Sequence, residues 1–218
     1  MKQLIVDTET TGLDGKPPGF QAEVVEIGLV AVDEDGGEIF SDGWFVRQPD
    51  VVLEDPRARH AFSLTGITPD VVRRDGISVT ESQARLKANV ERALEEGVTV
   101  VRAFNQDFDF RMLNRNGFDL EVLGLPKGEC IMLAAMELMG NLGALPPASA
   151  WIKSKYPDQR WKWPRLTEVV AFLSGRGHEI RWTQDHHRAL SDAQLEASVA
   201  VALDSEISFF RSQMELPL

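Results

Sequence analysis

The chain has 218 residues, of which 43% are hydrophobic, and it carries a formal net charge of −11. Its length fits one domain with a substantial core, and its acidic balance argues against a protein that coats duplex nucleic acid through a basic face. The charge does not exclude an enzyme that acts on nucleic-acid ends, because metal ions can offset the negative charge of such a site.

Cysteine usage and hydrophobic patterning exclude further classes of protein. The one cysteine, Cys130, permits neither an internal disulfide framework nor a cysteine metal cluster. No apolar run approaches the roughly 18 residues that a membrane span needs, and no signal-peptide pattern precedes the first predicted strand. We therefore expect a cytoplasmic protein.

The first predicted strand, residues 4–6, leads directly into two carboxylates, Asp7 and Glu9. Side chains alternate along a strand, so these two acids share a face and Thr8 points to the other. A hard divalent cation is the usual partner of such closely spaced carboxylates. We expect the following turn, residues 10–12, to leave backbone N–H groups free beside them. This stretch alone is equally consistent with a metal site and with a solvated strand end.

Two more strands are predicted at residues 23–32 and 38–47, after a loop at residues 14–22. The acidic Gly-Gly turn between them is typical of a hairpin, so the three strands form an antiparallel meander. Glu26 lies inside the apolar second strand and needs a partner if it is buried.

Helices and a fourth strand follow the meander. Pro56 and Pro69 are typical first-turn prolines behind capping residues, and the second begins a short helix at residues 69–74. A longer helix is predicted at residues 80–96, followed by a buried strand at 98–104. Strand–helix–strand succession predicts that this strand lies parallel to another strand of the sheet.

The next predicted helix starts near Phe104 and ends at residues 116–117, with Phe108 on its buried side. Asp107 and Asp109 lie in or near its first turn, where the helix dipole favours carboxylates. That position explains both acids structurally. The functional alternative is that one of them joins Asp7 and Glu9.

Residues 130–139 predict an apolar helix, and residues 166–173 another. Between them, residues 141–165 are irregular and mix basic with aromatic side chains. Base stacking with phosphate contact is one use of such a mixture. The alternative, which we favour for at least two of its tryptophans, is that the aromatic rings pack the segment onto the body of the protein.

A long final helix is predicted from about residue 186 to Arg211. His187 and Asp192 are five residues apart, so they face each other only if His187 lies just before the helix. A histidine at that place is more often structural than catalytic, and its pairing with an acid makes the functional reading worth testing.

Three segments together resemble the exonuclease motifs of the DnaQ-like DEDDh 3′–5′ exonucleases. They are D-T-E-T-T-G-L at 7–13, N-Q-D-F-D at 105–109 and H-R-A-L-S-D-A at 187–193. This family includes the proofreading subunit of bacterial DNA polymerase III, ribonuclease T, oligoribonuclease and exonuclease X. The resemblance spans residues 4–203, and the motifs are specific as an ordered set rather than singly.

The resemblance implies a ribonuclease H-like α/β fold in a domain of residues 1–212. Its mixed five-stranded sheet would combine the antiparallel meander with parallel strands between flanking helices. The implied metal-binding acids and general base are Asp7, Glu9, Asp109, Asp192 and His187. The family's Phe-Asp ending selects Asp109 over Asp107, and its His-x₄-Asp spacing selects His187 over His186.

The same resemblance implies a two-metal mechanism. Two Mg²⁺ ions, for which Mn²⁺ can substitute, would lie about 3.5–4 Å apart and clamp the scissile phosphate. Asp7, Glu9 and Asp192 would hold one ion, and Asp7 and Asp109 the other. His187 would take a proton from the attacking water, and a nucleoside 5′-monophosphate would leave.

The resemblance also implies where the terminal nucleotide lies. The expected substrate-binding residues are Thr10, Thr11, Gly12, Leu13 against the base, Asn105 and Phe108. The chain departs from the family at Phe104 and Thr65, where histidine is common, without losing a catalytic group. The sister group that uses a tyrosine four residues before the last acid is excluded, because the only tyrosine is Tyr156.

The last six residues, 213–218, resemble the peptide by which bacterial proteins bind the sliding clamp. In a free extended tail, Gln213 would form hydrogen bonds while Met214, Leu216 and Leu218 enter apolar pockets. Packing of these apolar residues on the protein's own body is an equal alternative.

The leading hypothesis is a metal-dependent 3′–5′ exonuclease for single-stranded DNA ends, in repair or proofreading. The first alternative keeps the chemistry with an RNA substrate, as in ribonuclease T or oligoribonuclease. The second is a replication-associated binding module with a vestigial nuclease site, against which the complete set of five catalytic residues argues.

Overall fold

A computed structural model describes residues 1–13, 18–181 and 187–214. The chain forms one mixed sheet with helices on both faces. The strands are β1 (Gln3–Thr10), β2 (Val24–Val32), β3 (Glu38–Phe45) and β4 (Val100–Arg102). The helices are α1 (Asp50–Leu53), α2 (Arg59–Thr65), α3 (Pro69–Asp75), α4 (Val79–Glu95), α5 (Gln106–Arg115), α6 (Ile131–Asn141), α7 (Ala150–Lys155), α8 (Leu166–Ser174) and α9 (Ala189–Met214), with a 3₁₀ turn at Pro56–Ala58.

The sheet has the strand order β3-β2-β1-β4. β1 pairs antiparallel with β2, and β2 with β3, so the predicted meander is confirmed. β4 pairs parallel with β1, with Val100 opposite Gln3 and Arg102 opposite Ile5. The parallel strand predicted after the long helix is confirmed, although it is much shorter than the predicted 98–104.

The described residues form four strands, so the prediction of five is wrong. Beyond β4, where a fifth strand would pair, the chain makes a single parallel bridge between Val101 and Lys127. Val101 donates its N–H to Pro126 O at 2.9 Å, and Gly128 donates to Val101 O at 2.8 Å. Pro126 has no N–H to donate, so the ladder cannot extend past it toward the start of β4.

The two faces of the sheet bury separate apolar cores. In β1, Leu4 and Val6 belong to the core under α2–α5, whereas Ile5 belongs to the core under α6, α8 and α9. By the same alternation Asp7 and Glu9 face α9, and Thr8 faces α5. The sheet therefore places the two acids and the intervening threonine on opposite sides.

Several helix boundaries follow local sequence signals. The Asp55 side chain accepts the Arg57 N–H, and the Thr68 side chain accepts the Val71 N–H. Each residue therefore caps the turn or helix that begins at the proline after it, as the sequence predicts. Ser78 and Glu81 form a capping box at the start of α4.

Three local predictions need correction. In α5, Phe110 is fully buried, whereas Phe108, predicted on the buried side, is half-buried and packs at the edge of the core. Helix α7 lies within the segment predicted to be irregular, capped by Ser149. The last helix begins at Ala189 rather than near residue 186. In the described part of the chain, no helix is both long and apolar enough to cross a membrane.

Candidate active site

The first two acids project from the carboxyl-terminal half of β1. Asp7 lies opposite Gly28 of β2 and Glu9 lies opposite Glu26. Both side chains are partly buried and face the start of α9. They share a face, as the strand spacing predicts.

Asp109 reaches the same region from the other face of the sheet. Its Oδ1 accepts two hydrogen bonds from Thr8, from the backbone N–H at 3.1 Å and from Oγ1 at 2.7 Å. Since β4 ends opposite Ile5, none of the described strands pairs with Thr8 on that side, and Asp109 takes the place of a strand partner. The structure thus distinguishes the acids of α5, because Asp109 is 3% exposed whereas Asp107 is open to solvent.

Two glycines let α9 approach the sheet closely. A Cβ at Gly28 would overlap the backbone of Ala189 and Leu190, and a Cβ at Gly43 would lie 2.9 Å from Leu190 Cβ. Only strands without side chains at these points can receive the start of the helix. Gly28 is also the partner of Asp7, so the contact brings Asp192, in the first turn of α9, toward the β1 acids.

An ion pair fixes the same end of α9. Arg188 NH2 lies 2.8 Å from Glu26 Oε1, and the Ala189 N–H donates to Glu26 Oε2 at 3.2 Å. Glu26 is 3% exposed, and a charge buried in an apolar strand needs a partner. The partner is Arg188, the residue after His187. A carboxylate is also favoured at the positive end of a helix.

His187 lies just before α9, as its pairing with Asp192 requires. Its backbone N–H donates to Asp192 Oδ2 at 3.1 Å, and its φ of 63° is unusual for a residue other than glycine. One ligand atom from each of Glu9, His187 and Asp192 lies within 4.8 Å of the others. The alternative His186 lies outside the described residues.

Glu196 is an acid of this region that the sequence analysis missed. It is 3% exposed and accepts the Phe104 N–H at 2.9 Å. The charges of Asp109 and Asp192 both act on it. The available signal was its place one helical turn after Asp192, inside an apolar stretch of α9.

Desolvation and mutual repulsion dominate the electrostatics of these acids. Burial raises the pKa of Asp7 well above its usual range, and the charges of Asp109 and Glu196 raise it further. Burial and the charge of Asp192 raise the pKa of Glu9 to about 8. The pKa of Asp109 is raised to about 7 by burial, although both Thr8 hydrogen bonds lower it.

A divalent cation fits this arrangement. Several oxygen ligands converge from three elements, and they destabilise one another as long as nothing positive lies among them. Hard cations such as Mg²⁺ prefer carboxylate oxygens, and a bound cation reverses the cost of ionising them.

The turn after β1 differs in part from its prediction. The Thr11 N–H donates to Glu23 O at 2.9 Å, and the Thr11 hydroxyl accepts the Glu23 N–H at 2.9 Å. The Gly12 N–H donates to Thr10 Oγ1 at 3.4 Å. The expectation of free N–H groups at Thr11 and Gly12 is therefore wrong, because the Thr11 N–H donates to the Glu23 carbonyl and the Gly12 N–H to the Thr10 hydroxyl.

The other expected substrate-binding residues differ in their exposure to solvent. Leu13 is 51% exposed and Asn105, at the N-terminus of α5, is exposed with a φ of 55°. Phe108 is half-buried. Of the clamp-like tail, Gln213 is exposed and, like Met214, belongs to α9, whereas Leu216 and Leu218 lie outside the described residues.

Comparison with known proteins establishes the fold. No protein-family model and no curated protein sequence matches the chain. Among solved structures, E. coli exonuclease I in complex with a dT13 oligonucleotide is 17% identical, with a TM-score of 0.65 over 98% of this chain and 43% of that chain. Its zinc-bound complex with single-stranded DNA is 15% identical, with a TM-score of 0.63 over 97% of this chain and 43% of that chain.

A second neighbour matches along almost its whole length. The nuclease domain of 3′hExo, described as a DEDDh family member bound to rAMP, is 20% identical, with a TM-score of 0.59 over 99% of this chain and 94% of that chain. The chain has the fold of the DEDDh nucleases. The ribonuclease H-like fold is thereby confirmed, and the chain spans less than half of the exonuclease I chain.

Proposed function

We propose that this protein is a metal-dependent 3′–5′ exonuclease that removes nucleoside 5′-monophosphates from single-stranded nucleic acid. The observation that carries the proposal is the meeting of acids from β1, α5 and α9 with a histidine beside them. The acids are Asp7, Glu9, Asp109 and Asp192, and the histidine is His187. The shared fold supports it.

The four acids would hold the divalent cations, Mg²⁺ or Mn²⁺. When bound, these cations neutralise the scissile phosphate and make water a stronger nucleophile. Asp7 has the charges of Glu9, Asp109 and Asp192 acting on it, which suits it to share both ions. The Thr8 hydrogen bonds keep Asp109 oriented toward them.

His187 is placed to take a proton from the attacking water. It is exposed beside Glu9 and Asp192, and its backbone is held by Asp192 and by the adjoining Glu26–Arg188 ion pair. A histidine exchanges protons near neutral pH, which suits a general base. Leu13 would lie against the terminal base, with Asn105 and Phe108 at the opposite rim.

DNA is the substrate we favour, in repair or proofreading, with RNA as the alternative. The similar solved structures contain both deoxyribose and ribose ligands, since exonuclease I was solved with dT13 and the 3′hExo domain with rAMP. A tail at residues 213–218 that binds a sliding clamp would favour DNA. A clamp pull-down of the full chain against a chain ending at residue 212 tests that partner, and equal capture would remove it.

The deciding experiment compares 5′-labelled single-stranded DNA and RNA with Mg²⁺ and then with EDTA. We expect stepwise shortening from the 3′ end with Mg²⁺ only. Asp109→Asn should lower the rate by at least about 100-fold, because several kcal/mol of charge stabilisation are lost. The exposed Asp107→Asn, two residues away, is the matched control and should retain the wild-type rate. A protein that binds both strands and cleaves neither would be a binding module with a vestigial site.

A further inference from the structure

A basic and aromatic segment outside the acid cluster is not used by the proposed reaction. We call residues 146–165 the arm. It contains five lysines and arginines and one aspartate, so its net charge is +4, and the other residues of this −11 chain sum to −15. The arm is therefore the part of an acidic protein that is suited to a negatively charged partner.

The arm has a fixed base and an exposed tip. Its two ends are joined by hydrogen bonds from Ala148 N to Arg160 O at 3.0 Å and from Lys162 N to Pro146 O at 3.1 Å. Trp161 lies directly on Gly140 of α6, where a Cβ would overlap its ring. Trp161 and Trp163 pack against the core under α9, so the packing predicted for at least two tryptophans is confirmed.

The tip, helix α7, presents its side chains to solvent. Trp151 is 63% exposed and Tyr156 52% exposed. Lys155 Nζ lies 4.5 Å from the centre of the Trp151 ring. Lys153 is also exposed, but it is two residues from Trp151 along the helix and so points to another side. Among the described residues, the arm's one ion pair joins Lys162 to Glu168. Lys155 and Trp151 thus place a positive charge beside an aromatic ring that is exposed to solvent.

α6 connects the arm to the acid cluster. Its first residue, Ile131, donates its N–H to Ala103 O, one residue before Phe104, which bonds Glu196. From Ile131 to Gly140 a helix rises about 14 Å, at 1.5 Å per residue. The base of the arm therefore lies about 14 Å along α6 from Ile131, a length of the order that a strand of a few nucleotides can cover.

We infer that the arm binds single-stranded nucleic acid upstream of the 3′ end, with a base on Trp151 and a phosphate beside Lys155. This inference rests on the proposed function for the strand's identity. Single strands are commonly held by this pairing of stacked aromatic rings and basic side chains. It explains how a protein of net charge −11 can hold a polyanion, since the contact is confined to one positive surface.

The test is the affinity of the full chain for a labelled single strand of about 30 nucleotides in EDTA, which prevents cleavage. Trp151→Ala/Lys155→Ser should weaken binding at least about tenfold and lower the salt slope by about 0.7, the value for one lost phosphate contact. Phe209→Ala/Lys87→Ser is the matched control, because it removes an exposed aromatic ring (58%) and an exposed lysine elsewhere, and it should bind like wild type.

Cleavage of a strand of about four nucleotides with Mg²⁺ separates this inference from the proposed function. If the short strand is cleaved and the arm variant binds the long strand like wild type, the inference is wrong and the proposed function stands. If binding depends on the arm and no strand is cleaved, the inference stands and the proposed function falls. Competition by polyglutamate as strong as by unlabelled DNA would assign the arm to acidic proteins and overturn the inference.

Discussion

Glu196 Oε2 accepts the backbone N–H of Phe104 at 2.9 Å. The bond joins α9, which carries Asp192, to the segment that leads from β4 into α5, which carries Asp109. We therefore regard Glu196 as a positioning residue that sets the distance between two acids from opposite faces of the sheet. Outer partners of metal-binding carboxylates typically have this role.

The first prediction separates positioning by Glu196 from metal binding by it. Glu196→Gln keeps an acceptor for the Phe104 N–H, so we expect activity within about threefold of wild type. Glu196→Ala leaves that N–H without its partner and should lower activity about 10–100-fold. Initial rates against Mg²⁺ concentration provide the measurement. A Gln variant as inactive as Asp109→Asn would instead make Glu196 a ligand of the metal.

The site illustrates which features the sequence could predict. The strand alternation of Asp7 and Glu9 and the five-residue spacing of His187 and Asp192 are local patterns, and the structure places these residues as those patterns require. The burial of Glu196 depends on its distant partner Phe104, so no local pattern identifies it among the many acids of the chain.

The second prediction concerns pH and metal removal. The pKa of Asp109 is raised to about 7 and that of Glu9 to about 8, so the folded protein holds protons that the unfolded chain has already released. The unfolded state therefore binds fewer protons, and stability falls as pH rises from the ordinary carboxyl range through about 8. Metal-free protein should lose about 5 °C or more of its melting temperature between pH 5.5 and 8.5.

Added Mg²⁺ should remove this pH dependence, because the cation favours the ionised acids. Thermal melts in EDTA and in Mg²⁺ across the pH range provide the measurement. Glu9→Gln, which lacks one of the shifted groups, is the control and should show a smaller slope in EDTA. A melting temperature in EDTA that stays constant or rises over this range would contradict the proposed repulsion among the acids.

The third prediction concerns the contact between α9 and the sheet. In Gly28→Ala the new Cβ would overlap the backbone of Ala189 and Leu190, so the start of α9 must shift. We expect a loss of about 2–4 kcal/mol of stability and a fall in activity of at least about tenfold, since Asp192 moves with the helix. Gly175→Ala is the control, because its Cβ would lie 3.3 Å from Ala171 O and 3.5 Å from Phe172 O, which requires a shift of only a few tenths of an ångström. Melting and rates like those of wild type in Gly28→Ala would show that α9 does not depend on this contact.

The fold shows the same division between local and distant information. The meander, the parallel strand and the capped helices follow from alternation, turn residues and caps, and all of them are present. The fifth strand is absent from the described residues, where pairing beyond β4 is reduced to the one bridge between Val101 and Lys127 and Pro126 blocks its extension in one direction. The role of Gly28 could not be predicted, because the sequence does not show that the start of α9 packs directly on this strand position.

The last prediction concerns the hydrogen bonds that Thr8 donates to Asp109. Thr8→Val removes the bond from Oγ1 at 2.7 Å and retains the backbone bond at 3.1 Å. The Oγ1 bond lowers the pKa of Asp109, so its loss raises that pKa further and leaves the carboxyl more protonated near neutral pH. We expect the Mg²⁺ concentration for half-maximal activity to rise about tenfold, with a smaller change in the maximal rate and recovery of metal affinity at higher pH. Thr99→Val, at an exposed threonine, is the control. An unchanged Mg²⁺ dependence in Thr8→Val would show that the backbone N–H alone orients Asp109.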